Sequence, residues 1–192
     1  MSCLGIDQSM RSTGVCVVSE SGDMLDYRII DIDEKKNEQH SWIETEFQEH
    51  QNDTFKKVDL CHCVSEELYL YIENLYYEGI DISQINIEGL AFGIGGNVTR
   101  DLGALQFMII NKLRDSFTFH SYHNFDDGII ISAPTSVKKF ATGSGSSKKN
   151  ILFDALPEDV KEKFMKFPKT KGRFDLTDAY WLARYGLTNY GG

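Results

Sequence analysis

Four acidic residues stand at positions that a purely structural role explains poorly. Asp7 ends the first apolar run of the chain and Glu88 ends a later one, while Asp175 and Asp178 lie three residues apart near the C-terminal end. Carboxylates are rarely buried unless they are paired with or bound to a cation, and residues three apart share one face of a helix. Together the four predict a cage of oxygen ligands for hard divalent cations.

Such a cage suits the hydrolysis of phosphodiesters. Two cations about 4 Å apart activate the attacking water and stabilise the leaving oxygen. Without metal the four anions repel one another, so we expect raised carboxylate pKa values and metal-dependent stability. Taken singly, Asp7 also fits a turn residue and Asp175 a helix N-cap, and it is the set of four that favours a metal site.

The hydrophobic pattern predicts the elements that carry these residues. Runs bounded by Ser, Gly and Asp indicate strands, and apolar positions at three- and four-residue steps indicate helices. The predicted strands cover residues 3–8, 13–20, 25–31, 84–88, 117–122 and 129–133. The predicted helices cover residues 58–79, 102–113, 134–140, 148–156 and 175–185. Residues 33–56 are polar without clear periodicity and are interpreted as an insertion or long loop. This order predicts an α/β domain with a mixed β-sheet flanked by α-helices.

Composition sets the remaining limits. With 192 residues and 41% hydrophobic content, we expect a single domain over residues 1–192. The net charge of −9 taken alone argues against a nucleic-acid partner. However, residues 1–133 carry 9 Lys and Arg against 23 Asp and Glu, whereas residues 134–192 carry 11 against 6. A polyanion therefore has a basic C-terminal segment to bind, although the run from Lys161 to Arg173 equally fits a solvated surface.

The sequence also predicts the surroundings of the protein. No apolar run is long enough to span a bilayer, and the first residues do not open a signal peptide, so we expect a cytoplasmic protein, in the host cytoplasm if it is viral. Cys3 and Cys16 lie in apolar runs as free thiols. The tripeptide Cys61-His62-Cys63 lacks the paired spacing of a zinc site and is interpreted as part of a helix.

The motifs resemble those of RuvC-type Holliday junction resolvases of the RNase H-like superfamily, in the same order along the chain. The similar segments are Gly5-Ile6-Asp7-Gln8-Ser9 with Thr13-Gly14, Ile87-Glu88-Gly89, Pro134-Thr135-Ser136-Val137-Lys138, the loop from Gly143 to Lys149, and Asp175-Leu176-Thr177-Asp178-Ala179. Phage and poxviral members look most similar, because the insertion at 33–56 and the acidic N-terminal part are unusual for bacterial ones.

The resemblance implies an RNase H-like fold and a magnesium-dependent endonuclease that cuts four-way DNA junctions as a homodimer, with forks and flaps as open alternatives. Asp7, Glu88, Asp175 and Asp178 would hold two Mg²⁺ ions, with Mn²⁺ as a substitute. Lys149 would contact or polarise the scissile phosphate. Further DNA contacts are expected from Lys138, Lys148, Arg173 and Phe92. The helix over residues 101–114 resembles the family's dimer helix, although its apolar positions also fit a core within one subunit.

Other functions remain open at this point. Gly5-Ile6-Asp7 also resembles the phosphate loop of actin-like ATPases and sugar kinases, but those enzymes need two such domains. Proofreading exonucleases place a second acid two residues after the first, where this chain has Ser9. An RNA-processing nuclease of the same fold, or a non-catalytic module that binds branched nucleic acid, remains an alternative, although four uncompensated carboxylates beside phosphate would not help a pure binder.

Overall fold

The centre of the molecule is a five-stranded mixed sheet, seen in a computed structural model that describes residues 1–32, 53–90, 97–117 and 128–188. Its strands are β1 (Ser2–Asp7), β2 (Ser12–Ser19), β3 (Met24–Asp31), β4 (Gln84–Glu88) and β5 (Ile129–Ser132). They lie in the order β3-β2-β1-β4-β5. The first three pair antiparallel, whereas β4 is parallel to β1 and β5 is parallel to β4. This confirms the predicted mixed sheet and its antiparallel opening.

Helices cover both faces of the sheet. They are α1 (Asp53–Tyr77), α2 (Asn97–Phe117), α3 (Pro134–Thr142), α4 (Lys149–Asp154), α5 (Glu158–Phe164) and α6 (Phe174–Thr188). One core joins α1 and α2 to β1 residues such as Leu4 and Ile6. A second core joins α5 and α6 to Cys16 and Val18 of β2. Since both faces are covered, β1 is buried from Ser2 to Ile6. None of the described helices has the length and apolar character needed to cross a membrane.

Several details of the predicted elements are wrong. Helix α1 begins at Asp53, so residues 53–56 are helical and do not belong to a loop. The polar first turn is held by Lys57, whose Nζ lies 2.8 Å from Asp53 Oδ2 and 3.1 Å from Asp101 Oδ2 on α2. Helix α5 was not predicted, because its seven residues are mostly charged and only Val160 and Phe164 are buried. Residues 33–52 and 118–122 lie outside the described residues, and Phe117 ends α2 and is not in a strand.

The last helix packs directly on the backbone of the first two strands. A Cβ atom at Gly5 would collide with the main chain of α6 at Ala179 and Ala183. A Cβ atom at Gly14 would collide with the main-chain carbonyl of Asp175. Only glycine permits this approach, so these two residues bring the start of α6 to the end of β1.

We therefore expect Gly14→Ala to lower the free energy of unfolding by about 2 kcal/mol or more, since the backbone of α6 must shift to accept the methyl group. Urea denaturation measures the change. Gly103→Ala on α2 is the matched control, because its Cβ would meet only Leu90 Cδ1 at 3.5 Å and alanine favours a helix by about 1 kcal/mol. Equal stability of the two variants would contradict the tight approach of α6.

Candidate active site

The fold brings the four predicted carboxylates to one edge of the sheet. Asp7 ends β1 and Glu88 ends β4. Because these strands are parallel neighbours, with Ile6 opposite Ile87, their last residues lie side by side. Asp175 and Asp178 lie in the first turns of α6, which passes over β1 and β2. The charges of Asp178, Glu88 and Asp175 all act on the Asp7 carboxyl.

Burial and mutual repulsion disfavour ionisation of this group. The pKa of Asp7 is raised well above its usual value by burial, then by the charges of Asp178 and Glu88, with Lys149 opposing. Burial is also the largest cause of the raised pKa of Glu88, followed by the charge of Asp178. The pKa of Asp178 is raised by burial against the opposing charge of Lys149. The site is thus short of positive charge.

Two lysines supply part of that charge. Lys149, the first residue of α4, places its Nζ 3.0 Å from Asp178 Oδ2, and its side chain is still 53% exposed. Burial lowers the pKa of this ammonium group, but attraction to Asp178 and Asp7 outweighs the burial and the pKa is raised. The charge of Lys138 lowers the pKa of Glu88 and of Asp178. Lys149 therefore pairs with one of the carboxylates, and the charge of Lys138 acts on two of them.

Asp175 is fixed by two donors that the sequence analysis missed. Ser12 Oγ donates to Asp175 Oδ2 at 2.9 Å, and the backbone N–H of Gly172 donates to the same oxygen at 3.1 Å. Gly172 lies in the turn Lys169–Arg173 with φ of 108°, a conformation that favours glycine. A glycine three residues before the first acid of the DxxD motif was the available signal. Asp175 is thus held on one oxygen by β2 and by the turn before α6.

Glu88 is also held by residues that the sequence analysis did not select. Its backbone carbonyl accepts hydrogen bonds from Gln8 Nε2 and Gln106 Nε2, both at 3.0 Å. Gln8 follows Asp7 directly, and Gln106 comes from α2, between the core positions 105 and 109. A polar residue inside an apolar helix face was the signal for Gln106.

The other predicted DNA contacts differ in their surroundings. Lys148 is exposed and precedes α4 directly. Arg173 uses its guanidinium within the protein: Nε donates to Phe167 O at 3.0 Å and Nη2 to Met165 O at 2.8 Å. Its predicted DNA contact stays a prediction, as does that of Phe92, which lies outside the described residues.

The donor set fits hard divalent cations, although the side chains are not gathered as a finished metal site. Carboxylate oxygens are the ligands that such cations prefer, and burial together with mutual repulsion raises the pKa values of Asp7 and Glu88. Among the residues described, no three His, Cys, Asp or Glu side chains are grouped closely enough to hold a metal ion. Asp178 instead forms an ion pair with Lys149 through Oδ2.

The sheet order, the flanking helices and the acidic strand ends define the RNase H-like fold. Within it, the chain is similar to RuvC of Thermus thermophilus, with a TM-score of 0.56 and 14% identity over 95% of this chain and 91% of that one. The same protein in complex with a Holliday junction substrate gives a TM-score of 0.55 and 13% identity, over 95% and 90%. The yeast mitochondrial Holliday junction resolvase Ydc2 gives 0.54 and 17%, over 98% of this chain and 82% of that one.

At these identities the similarity confirms the RuvC-like fold that the motifs predict, and it establishes the fold alone. No protein-family model matches the chain, and no curated protein matches it in sequence. The structural relatives are bacterial and mitochondrial proteins. They give no support to the phage or poxviral likeness, which stays a prediction.

Proposed function

We propose that the protein is a metal-dependent endonuclease that resolves four-way DNA junctions. The observation that carries the proposal is the meeting of Asp7, Glu88 and Asp178 with Lys149 at one edge of a RuvC-like sheet. Buried carboxylates that raise one another's pKa are costly to keep, and this cost is explained if they bind a cation. The structural relatives include a RuvC bound to a Holliday junction substrate and a mitochondrial junction resolvase, which supports branched DNA as the substrate.

Each residue has a task in this proposal. Asp7, Glu88, Asp175 and Asp178 would hold two Mg²⁺ ions, with Mn²⁺ as a substitute. Bound cations would supply an activated water and neutralise charge on the leaving oxygen. Ser12 and the Gly172 N–H keep the Asp175 carboxylate in place. Lys149, once released from Asp178, binds the scissile phosphate and offsets its charge.

A homodimer with two such sites is part of the proposal, because cutting two strands across a branch point needs two sites. Leu105, Ile109 and Leu113 of α2 are fully buried in their own subunit. This is expected if the apolar positions of the helix form a core within one subunit. Phe107 on the same helix is 73% exposed, which leaves an apolar side chain on the outer face of α2. We propose this outer face as the contact between subunits.

Cleavage of labelled substrates tests the function. We expect paired cuts in a four-way DNA junction that depend on Mg²⁺, and no cuts in a matched linear duplex or an RNA hairpin. Preferred cutting of the hairpin would instead support an RNA-processing nuclease of the same fold. Junction binding without metal-dependent cutting of any substrate would contradict the nuclease proposal and leave a recognition module.

Lys149→Met should lower the cleavage rate by about 100-fold, the effect of removing one charged donor from a transition state that gains negative charge. Junction binding should change little, because Lys149 is one of many basic residues. Lys161→Met is the matched control, since Lys161 pairs with Glu158 on α5 at 3.3 Å, away from the carboxylates. Single-turnover cleavage and gel-shift binding separate the two effects, and equal rates for both variants would exclude a role for Lys149.

A further inference from the structure

The backbone at Glu88 is fixed more firmly than the end of a strand usually is. Its carbonyl accepts from Gln8 and from Gln106, each at 3.0 Å, and a carbonyl oxygen has two lone pairs to offer. The next backbone N–H, that of Gly89, donates to Ser132 O on β5 at 2.7 Å. The peptide unit that follows the Glu88 side chain is therefore held on both of its polar atoms.

Both glutamines are buried for this contact, with 7% of Gln8 and 6% of Gln106 exposed. Burying an amide is costly unless it is hydrogen-bonded. Among the described residues, Gln8 Oε1 has no partner, so this side chain keeps one bond to Glu88 and leaves its own acceptor unsatisfied. Folding alone gains little from such an arrangement, since α2 already packs through apolar neighbours.

We propose that Gln106 and Gln8 are positioning residues for Glu88: by holding its carbonyl from α2 and from the end of β1, they orient the Glu88 carboxylate toward Asp7 and set the metal affinity of the site. The proposal rests on the proposed function, because Glu88 matters here as a metal ligand. It also links α2 to the chemistry, since a displacement of α2 would reach the site through Gln106.

The test uses Gln106→Met and Gln8→Met, singly and together, because methionine keeps the length of the side chain and removes the donor. Gln84→Met is the matched control. Gln84 lies on the same strand as Glu88, is 2% exposed, and neither polar atom of its amide has a partner among the described residues. Binding of Mn²⁺ to the full-length protein is measured by calorimetry, cleavage of a four-way junction gives kcat and KM, and urea denaturation monitors the fold.

Each single variant should weaken Mn²⁺ binding about 3- to 10-fold and lower kcat by a similar factor, with KM for the junction within about twofold, because one hydrogen bond to the carbonyl is lost and the other remains. The double variant should lose about 100-fold, at the upper end of the product of the two single effects, since the buried carbonyl then has no donor. Gln84→Met should match the wild type in both measurements.

Two results would overturn the proposal, and they are distinguishable. If the wild type binds Mn²⁺ and cuts junctions while the Gln106 and Gln8 variants behave like Gln84→Met, the positioning role is wrong and the proposed function stands. If the wild type neither binds the metal nor cuts, the proposed function fails and this inference fails with it. A loss of stability in the double variant leaves the two single variants to decide.

Discussion

Asp7→Asn is expected to reduce junction cleavage by about 1,000-fold or more while junction binding persists. Asp7 is the half-buried carboxyl that receives the charges of all three other acids, and the amide removes a charged ligand without changing the size of the side chain. Metal ions contribute several kcal/mol to such transition states, and about 4 kcal/mol corresponds to three orders of magnitude in rate. Single-turnover cleavage of a labelled junction at saturating protein measures the loss.

The control for this variant is Asp154→Asn, because Asp154 is exposed at the end of α4. It should cut junctions at the wild-type rate. Asp7→Asn should in addition stabilise the metal-free protein near neutral pH, since it removes a buried charge from a repelling group. A variant that retains most of the activity would exclude Asp7 from the chemistry.

The second large effect concerns stability in the absence and presence of metal. The folded-state pKa values of Asp7, Glu88 and Asp178 are raised above 3.8 for the aspartates and 4.5 for the glutamate. At a pH between the ordinary pKa values and the raised folded-state pKa values, the folded protein holds protons that the unfolded chain has released. The free energy of unfolding therefore falls as the pH rises from about 4 through the raised pKa values. The metal-free protein should be more stable at pH 5 than at pH 8.

Mg²⁺ should reverse this trend at pH 8, because it compensates the ionised carboxylates only in the folded protein. At 100 times the dissociation constant the gain is about 2.7 kcal/mol. Urea denaturation at pH 5 and at pH 8, each with EDTA and with Mg²⁺, measures the free energy of unfolding under the four conditions. Asp7→Asn serves as the control and should show a weaker dependence on pH and on Mg²⁺. Equal responses of the two proteins would place the effect elsewhere in the molecule.

The strands that carry Asp7 and Glu88 were predictable because each is a short apolar or alternating run that ends in an acid. Strands β1 and β4 are short buried runs, and the acids that follow them are conspicuous for that reason. Parallel pairing of these strands then places Asp7 and Glu88 together. The DxxD motif on α6 needed only the three-residue spacing of a helix. Local pattern and the order of the motifs were sufficient for this part of the site.

The supports of the site were not predictable in the same way. Ser12 and Gln8 act through contacts between distant segments, such as the 163 residues that separate Ser12 from Asp175, and nothing in the local sequence marks them. Gln106 is marked only as a polar residue inside an apolar helix face, which does not reveal its partner on β4. The basic run from Lys161 to Arg173 shows a second limit of local sequence. Lys171 pairs with Asp31 at 2.7 Å, and Arg173 binds backbone carbonyls, so charge counted along the chain overstates the charge offered to DNA.

The contact of α6 with Gly5 and Gly14 also bears on the synthesis of the protein. Asp7 belongs to the first strand described, whereas Asp175 and Asp178 belong to the last helix described, so the complete set of acids forms only after these two distant segments have met. Pairing of such distant segments is a late event in folding. A nascent chain, or one shortened before residue 174, would carry half of the acids without the helix that completes them. The complete set of acids would thus exist only in molecules in which α6 has already packed on β1 and β2.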